Sequence, residues 1–202
     1  MSSENWDKFY SRKEVAKYPD NMLVRFVAKY YYDVPNRKDV KFLDVGCGAG
    51  SSVWYLAREG FSVAGIDGSK VAMERLRIRL EEDKLEAFLG CGDITQLDFK
   101  ENYFDCIIDI SSLCYIPDDK IKDMMSKLHK VLKPGGRFFS IAPTEDCSKD
   151  VFNENGIARF DHYEEIENKF KDFKDVSINS WCYELNRGQW HRIDLWVVEA
   201  EK

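Results

Sequence analysis

Five residues, Gly46-Cys47-Gly48-Ala49-Gly50, can hold a ligand without using a reactive side chain. Glycines at alternate positions let the backbone turn tightly and approach a bound molecule with no Cβ in the way. Two acidic residues follow in similar surroundings: Asp67 ahead of Gly68, and Asp93 between Gly92 and Ile94. A carboxylate about 20 residues beyond such a loop can accept hydrogen bonds from ribose hydroxyls. Asp93 and Ile94 offer a carboxylate and an apolar side chain to bracket a flat ring such as adenine. The plainer reading of either carboxylate is a helix cap or a solvated turn. Asp44, just before the loop, either orients it through backbone hydrogen bonds or touches the ligand.

Those residues need strand ends to position them. Segment 40–45 reads as a strand running into Gly46. Residues 51–59 place Val53, Leu56 and Ala57 on one helical face, with Gly60 as C-cap. A second strand, 61–66, ends at Asp67-Gly68. Ser69 caps a helix whose inward residues are Ala72, Met73, Leu76 and Leu80. The third strand, 86–91, ends at Gly92-Asp93. The fourth, 104–110, has the near-continuous apolar character of a strand covered on both faces. A helix opens at Pro117-Asp118-Asp119 and stops at Lys133-Pro134-Gly135-Gly136, ahead of a fifth strand at 137–142. A helix at 163–173 precedes two β-rich segments, 176–185 and 190–200. The loop Asn186-Arg187-Gly188 between them predicts an antiparallel hairpin.

Repeated βα units followed by a hairpin predict an α/β fold, with a doubly wound, mostly parallel sheet. Ligands of such sheets bind beyond the carboxyl ends of the strands at the switch point, where all three clusters fall. A helix at 20–32 and an upstream aromatic segment, Trp6, Phe9 and Tyr10, precede the sheet.

At 202 residues and 44% hydrophobic, the chain has the material for one domain with one core. Its net charge of -6 argues against nucleic acid as the partner, because phosphate backbones call for clustered positive charge. Segment 1–15 has no apolar h-region, and no uncharged apolar run reaches about 18 residues, so neither a signal peptide nor a membrane span is expected. None of the six cysteines pairs as Cys-x-x-Cys, so reduced thiols in a cytoplasmic protein are expected, with no metal site.

Which nucleotide the loop takes depends on its third glycine. The dinucleotide pattern Gly-x-Gly-x-x-Gly would put a glycine at 51, where the chain has Ser51. Residues 40–143 instead resemble class I S-adenosylmethionine-dependent methyltransferases. The resemblance rests on Asp44-Val45-Gly46-Cys47-Gly48-Ala49-Gly50, Ile66-Asp67, Gly92-Asp93-Ile94, Phe104-Asp105-Cys106-Ile107-Ile108-Asp109 and Leu132-Lys133-Pro134-Gly135-Gly136-Arg137-Phe138. It implies a Rossmann-like seven-stranded sheet, S-adenosylmethionine as cofactor and S-adenosylhomocysteine as product. It further implies that backbone near Gly46, Ile110 and Ser111 holds the methionine part, covered by an N-terminal aromatic. Tyr10 is preferred there because its hydroxyl could reach a carboxylate.

Methyl transfer from a sulfonium is a displacement that needs alignment more than a catalytic dyad, with reacting atoms at about 3–3.5 Å. Tyr115, where relatives often carry a histidine, and His162 are the candidates for meeting the acceptor. His129 and His191 read as structural. The fourth strand ends Asp109-Ile110-Ser111-Ser112, not in the Asn/Asp-Pro-Pro-aromatic clamp for planar amines, which favours a small-molecule O or N acceptor. Arg159, Arg187 and Arg192 could pair with an anionic, sugar-linked or nucleotide-linked one.

The expected organisation is one domain, with 1–35 a helical cap, 36–202 the core and 143–162 an acceptor-side loop, acting as monomer or homodimer. The competing readings are a catalytically silent partner protein of the same fold and a nicotinamide-dependent oxidoreductase.

Overall fold

Successive residues of the central strands are buried on opposite faces. Phe42, Ile108 and Phe139 join one hydrophobic cluster, and Leu43, Ile107 and Phe138 the other. A strand buried on both sides cannot alternate apolar with polar, hence the continuous Cys106-Ile107-Ile108 run. The structure, a computed structural model, describes residues 3–12, 14–96, 98–153, 158–186 and 188–202.

Seven strands form one sheet: β1 (Lys41–Val45), β2 (Ser62–Asp67), β3 (Phe88–Cys91), β4 (Phe104–Ile110), β5 (Leu132–Pro143), β6 (Lys174–Asn186) and β7 (Trp190–Glu201), in the order β3-β2-β1-β4-β5-β7-β6. The pairings from β3 through β5 are parallel, whereas β7 runs antiparallel to both β5 and β6. This is the expected doubly wound sheet with its hairpin, and β7 lies inside β6.

Helices α2 (Asn21–Tyr31), α3 (Ser51–Arg58) and α4 (Lys70–Glu82) cover one face through Phe26, Leu56 and Leu76, all at most 1% exposed. Helices α5 (Asp118–Val131) and α7 (Tyr163–Lys169) cover the other through Leu128 and Ile166. Phe26 stacks on Phe139 with centroids 4.8 Å apart, and truncating a buried phenylalanine of this kind costs about 3–5 kcal/mol. The remaining helices are α1 (Ser3–Arg12), which buries no residue, and the short α6 (Lys149–Phe152).

Two boundaries differ from the sequence reading by several residues. The fifth strand starts at Leu132 rather than 137. Leu132 pairs with Phe104, the register shifts, and Arg137 pairs with Cys106, so Lys133–Gly136 form an irregularity within the strand instead of a turn before it. Backbone bonds between Gly135, Gly136 and Lys202 hold that irregularity. The helix expected over 163–173 ends at Lys169, leaving Phe170 and Phe173 to pack on Phe138 from a turn. The segment 143–162 contains α6. Arg187 and the tip of the β6–β7 loop at that position lie outside the described residues.

Candidate cofactor cleft and acceptor cavity

The switch point falls between β1 and β4, whose carboxyl ends separate the two halves of the sheet. The chain leaves β1 at Gly46, where the N–H groups of Gly46 and Cys47 both donate to the Ile66 carbonyl, at 2.8 and 2.9 Å. Gly46 and Gly48 have φ of +70° and +53°, in the left-handed region that other residues seldom occupy. A Cβ on Gly46 would overlap Ser112, and one on Gly48 would overlap the Tyr10 hydroxyl. Gly50, at φ +78°, is the N-cap of α3 and lies against Leu76. The Cys47 thiol turns toward Met73 and Gly65, so this residue offers the cleft its backbone.

Asp67 closes the loop from the other side. Its Oδ2 accepts the Gly48 N–H at 2.9 Å, and its Oδ1 accepts the Ser69 N–H at 2.7 Å. Burial pushes its carboxyl up despite those donors. Each oxygen keeps a lone pair for a further donor. Asp44 is 3% exposed and pushed up to about 8 by burial, then by the Asp109 and Asp67 charges.

Asp109 was not read as a site residue, yet it builds the turn after β4. It accepts the N–H groups of Ser112 and Leu113 at 3.0 and 2.9 Å and the hydroxyls of Ser112 and Ser140 at 2.7 Å. That turn holds Ser111 at φ +54° and seats Ser112 beneath Gly46. The only sequence signal for it is an acidic residue inside an apolar strand.

Two adjoining cavities open here. One, of about 190 Å³, is lined by Asp44, the loop 46–50, Tyr10 and Ile110. The other, of about 680 Å³, runs from Tyr10, Asp67 and Gly68 past Asp93 and Ile94 to Ser111 and Tyr115. Cavities of this size range suit small molecules. Every predicted cofactor residue except Gly50, Cys47, Gly48 and Asp44 lines the larger one, and those four line the smaller. At Asp93, burial opposes ionisation, but the Thr95 N–H and hydroxyl on Oδ1, with Lys120 nearby, hold the carboxyl below its usual range.

The far wall of the larger cavity is Trp6, Tyr115, Ile116 and Pro117, with Lys70 and Lys120 at its edge. Trp6 meets Tyr115 edge-to-face at 5.0 Å. The Tyr115 hydroxyl donates to the Phe152 carbonyl at 2.8 Å, and burial pushes its pKa up. His162 lines neither cavity: it is the N-cap of α7, 67% exposed at its side chain and 3.0 Å from Glu145. His129 stacks on Phe173, and His191 pairs with Asp150.

Two of the three arginines expected to meet an anionic acceptor are engaged within the protein. Arg159 donates to the carbonyls of Leu113 and Ile116 and to Asp118 and Asp161, while its N–H donates to the Cys114 carbonyl. Arg192 pairs with Asp194 at 2.6 Å. Arg187 lies outside the described residues.

S-adenosylmethionine fits this cleft. It carries a sulfonium and an ammonium, and the cleft presents Asp44 and Asp67 with no cationic side chain in the glycine loop. A dinucleotide would bring its pyrophosphate against the same carboxylates.

Comparison with known proteins agrees. Residues 42–136, the stretch that holds the glycine loop, Asp67, Asp93 and the fourth strand, match the family model of a methyltransferase domain. The sterol 24-C-methyltransferase of Saccharomyces cerevisiae is 29% identical over 157 residues, covering 76% of this chain and 39% of the yeast protein. An uncharacterized methyltransferase of Synechocystis is 35% identical over 98 residues, covering 48% of this chain and 44% of its own length. This chain therefore spans less than half the length of either relative. A solved S-adenosylmethionine-dependent methyltransferase from Methanosarcina mazei superposes with a TM-score of 0.70 at 21% identity, over 92% of this chain and 98% of that one. That likeness is one of fold. No described helix is long and apolar enough to cross a membrane.

Proposed function

We propose that this chain transfers a methyl group from S-adenosylmethionine to an oxygen or nitrogen of a small molecule held against Trp6 and Tyr115. The observation that carries this reading is the continuity of the larger cavity, which joins Asp67 and Asp93 to an aromatic wall with room beyond. A catalytically silent partner would need no such room. The bound cofactor supplies an activated methyl group; the protein's part is to align the acceptor and shield it from water. Lys70 and Lys120 line the cavity, each also near a carboxylate (Asp7 and Asp93), and they support an acceptor with an anionic, sugar-phosphate-like group.

Of the two acceptor-side candidates, Tyr115 lines the cavity, and it orients the acceptor by its ring, since its hydroxyl is held by Phe152. His162 would meet only a bulky acceptor that extends past the cavity. The segment 143–162 acts on the acceptor side by bracing 113–118, through Phe152 and Arg159. The working unit in this reading is a monomer or homodimer in the cytoplasm.

A second reading, methylation at carbon, is favoured by the sterol C-methyltransferase relative and by the apolar wall of Trp6, Ile116 and Pro117. The experiment is incubation with methyl-labelled S-adenosylmethionine and fractionated small-molecule pools, with the labelled product's bond identified by NMR. Label on carbon replaces the first reading with the second. No label in any pool, from protein that binds the cofactor, overturns both.

A further inference from the structure

Helix α1 roofs both cavities but buries none of its residues in the core. Something other than hydrophobic packing must fix its position, because a surface helix of this length is marginal alone. Among the described residues, a carboxylate makes the side-chain hydrogen bonds that join α1 to the sheet domain. Asp7 Oδ1 accepts the Ser69 hydroxyl at 2.6 Å and the Val71 N–H at 3.1 Å, at the first turn of α4. Ser69 in turn donates its own N–H to Asp67, the residue that closes the glycine loop. Next to Asp7 in sequence, α1 presents Trp6 against Tyr115, and one turn further on it presents Tyr10 above Gly48.

We propose that Asp7 is a positioning residue for the cofactor: docked on Ser69 and Val71, it sets α1 down so that Tyr10 covers the glycine loop and Trp6 closes the acceptor side. Asp7 touches no reacting atom. It acts through Tyr10, and the chain Asp67–Ser69–Asp7 ties the placement of the roof to the carboxylate at the ribose end. The inference rests on the reading of this cleft as the S-adenosylmethionine site.

The test is calorimetric titration of S-adenosylhomocysteine into the native protein, Asp7→Ala, Tyr10→Ala, the double variant and Asp7→Asn. Loss of a helix-start acceptor of this kind predicts about tenfold weaker binding for Asp7→Ala. The melting temperature of the unliganded variant should stay near native, since α1 adds nothing to the core. Asp7→Asn keeps an oxygen for both donors and should bind within about threefold of native. If Asp7 acts by placing Tyr10, the two alanine effects are not additive, and the double variant binds no worse than Tyr10→Ala. Native-like binding by Asp7→Ala, native-like binding by Tyr10→Ala, or fully additive losses would each overturn the proposal. Failure of the native protein to bind S-adenosylhomocysteine would instead overturn the cofactor reading, and this inference with it.

Discussion

Asp67 Oδ2 accepts the backbone N–H of Gly48 at 2.9 Å, so the carboxylate expected to meet a ribose also ties the second strand to the glycine loop of the first. One side chain therefore sets both the shape of the loop and the acidic partner it faces. Removing it should damage binding twice over.

For Asp67→Ala the expected result is loss of the thermal shift that S-adenosylhomocysteine gives the native protein. Ligand at about 100 times its dissociation constant adds roughly 2.7 kcal/mol of stability. Each lost charge-assisted bond is worth about 1.5–3 kcal/mol, enough to erase that shift. Differential scanning fluorimetry with S-adenosylhomocysteine and with NADH checks it, and a shift produced by NADH alone would restore the oxidoreductase reading.

Gly48→Ala should both strain the loop and displace Tyr10. A side chain at φ +53° costs about 1–2 kcal/mol, and the added methyl overlaps the Tyr10 hydroxyl. Combining it with Tyr10→Ala relieves the overlap but leaves the backbone strain. The losses of cofactor affinity caused by Gly48→Ala and Tyr10→Ala should therefore be less than additive in the double variant, as measured by equilibrium titration.

Stability of the unliganded protein should fall as pH rises from about 4 to about 8. Asp44 holds its proton up to about 8 when folded, against 3.8 for the ordinary carboxyl, because of burial and of its neighbours Asp109 and Asp67. Across that window the folded chain binds more protons than the unfolded one, so raising the pH favours unfolding. Asp67 and Asp109 are shifted in the same direction. Asp44→Asn should flatten the slope of denaturant midpoint against pH and stabilise the unliganded protein at pH 8. A positive ligand favours the ionised carboxyl, so S-adenosylmethionine should bind with proton release near neutral pH, visible as a buffer-dependent heat.

Arg159→Ala should destabilise the protein by about 2–3 kcal/mol, since it removes a donor from the fully buried Asp161 and the donors of the Leu113 and Ile116 carbonyls. Lys169 still reaches Asp161, which limits the loss. Its second effect is on the wall 113–118. Urea unfolding measures the first, and a fall in Tyr115-to-Trp6 quenching at unchanged S-adenosylhomocysteine affinity reports the second.

The cofactor half of the site could be read from sequence because its signals are local. The alternate glycines demand left-handed backbone within five residues, Asp67 ends an apolar run, and the Ser69 side chain caps α4 by accepting the Ala72 N–H, as expected from its position. What escaped notice depends on partners far apart in the chain. Asp7 meets Ser69 and Val71 across more than 60 residues, and Arg159 meets 113–118 across more than 40. Neither contact leaves a periodicity. The start of β5 was missed for another reason: Pro134, Gly135 and Gly136 carry turn chemistry, but the ladder takes up the irregularity as a register shift and continues.

The position of β7 between β5 and β6 carries a consequence for how the sheet is assembled. Among the described residues β6 pairs with β7 alone, so it joins the sheet through a later stretch of chain folded back against it. The β6–β7 contact is local, closing over a short loop, whereas β5 and β7 meet only after the whole of α6, α7 and β6 has intervened. Local closure is fast and distant closure slow. The expected order is therefore hairpin first, docking as a ready-made pair, so that the register along β5 is searched once, by two strands together.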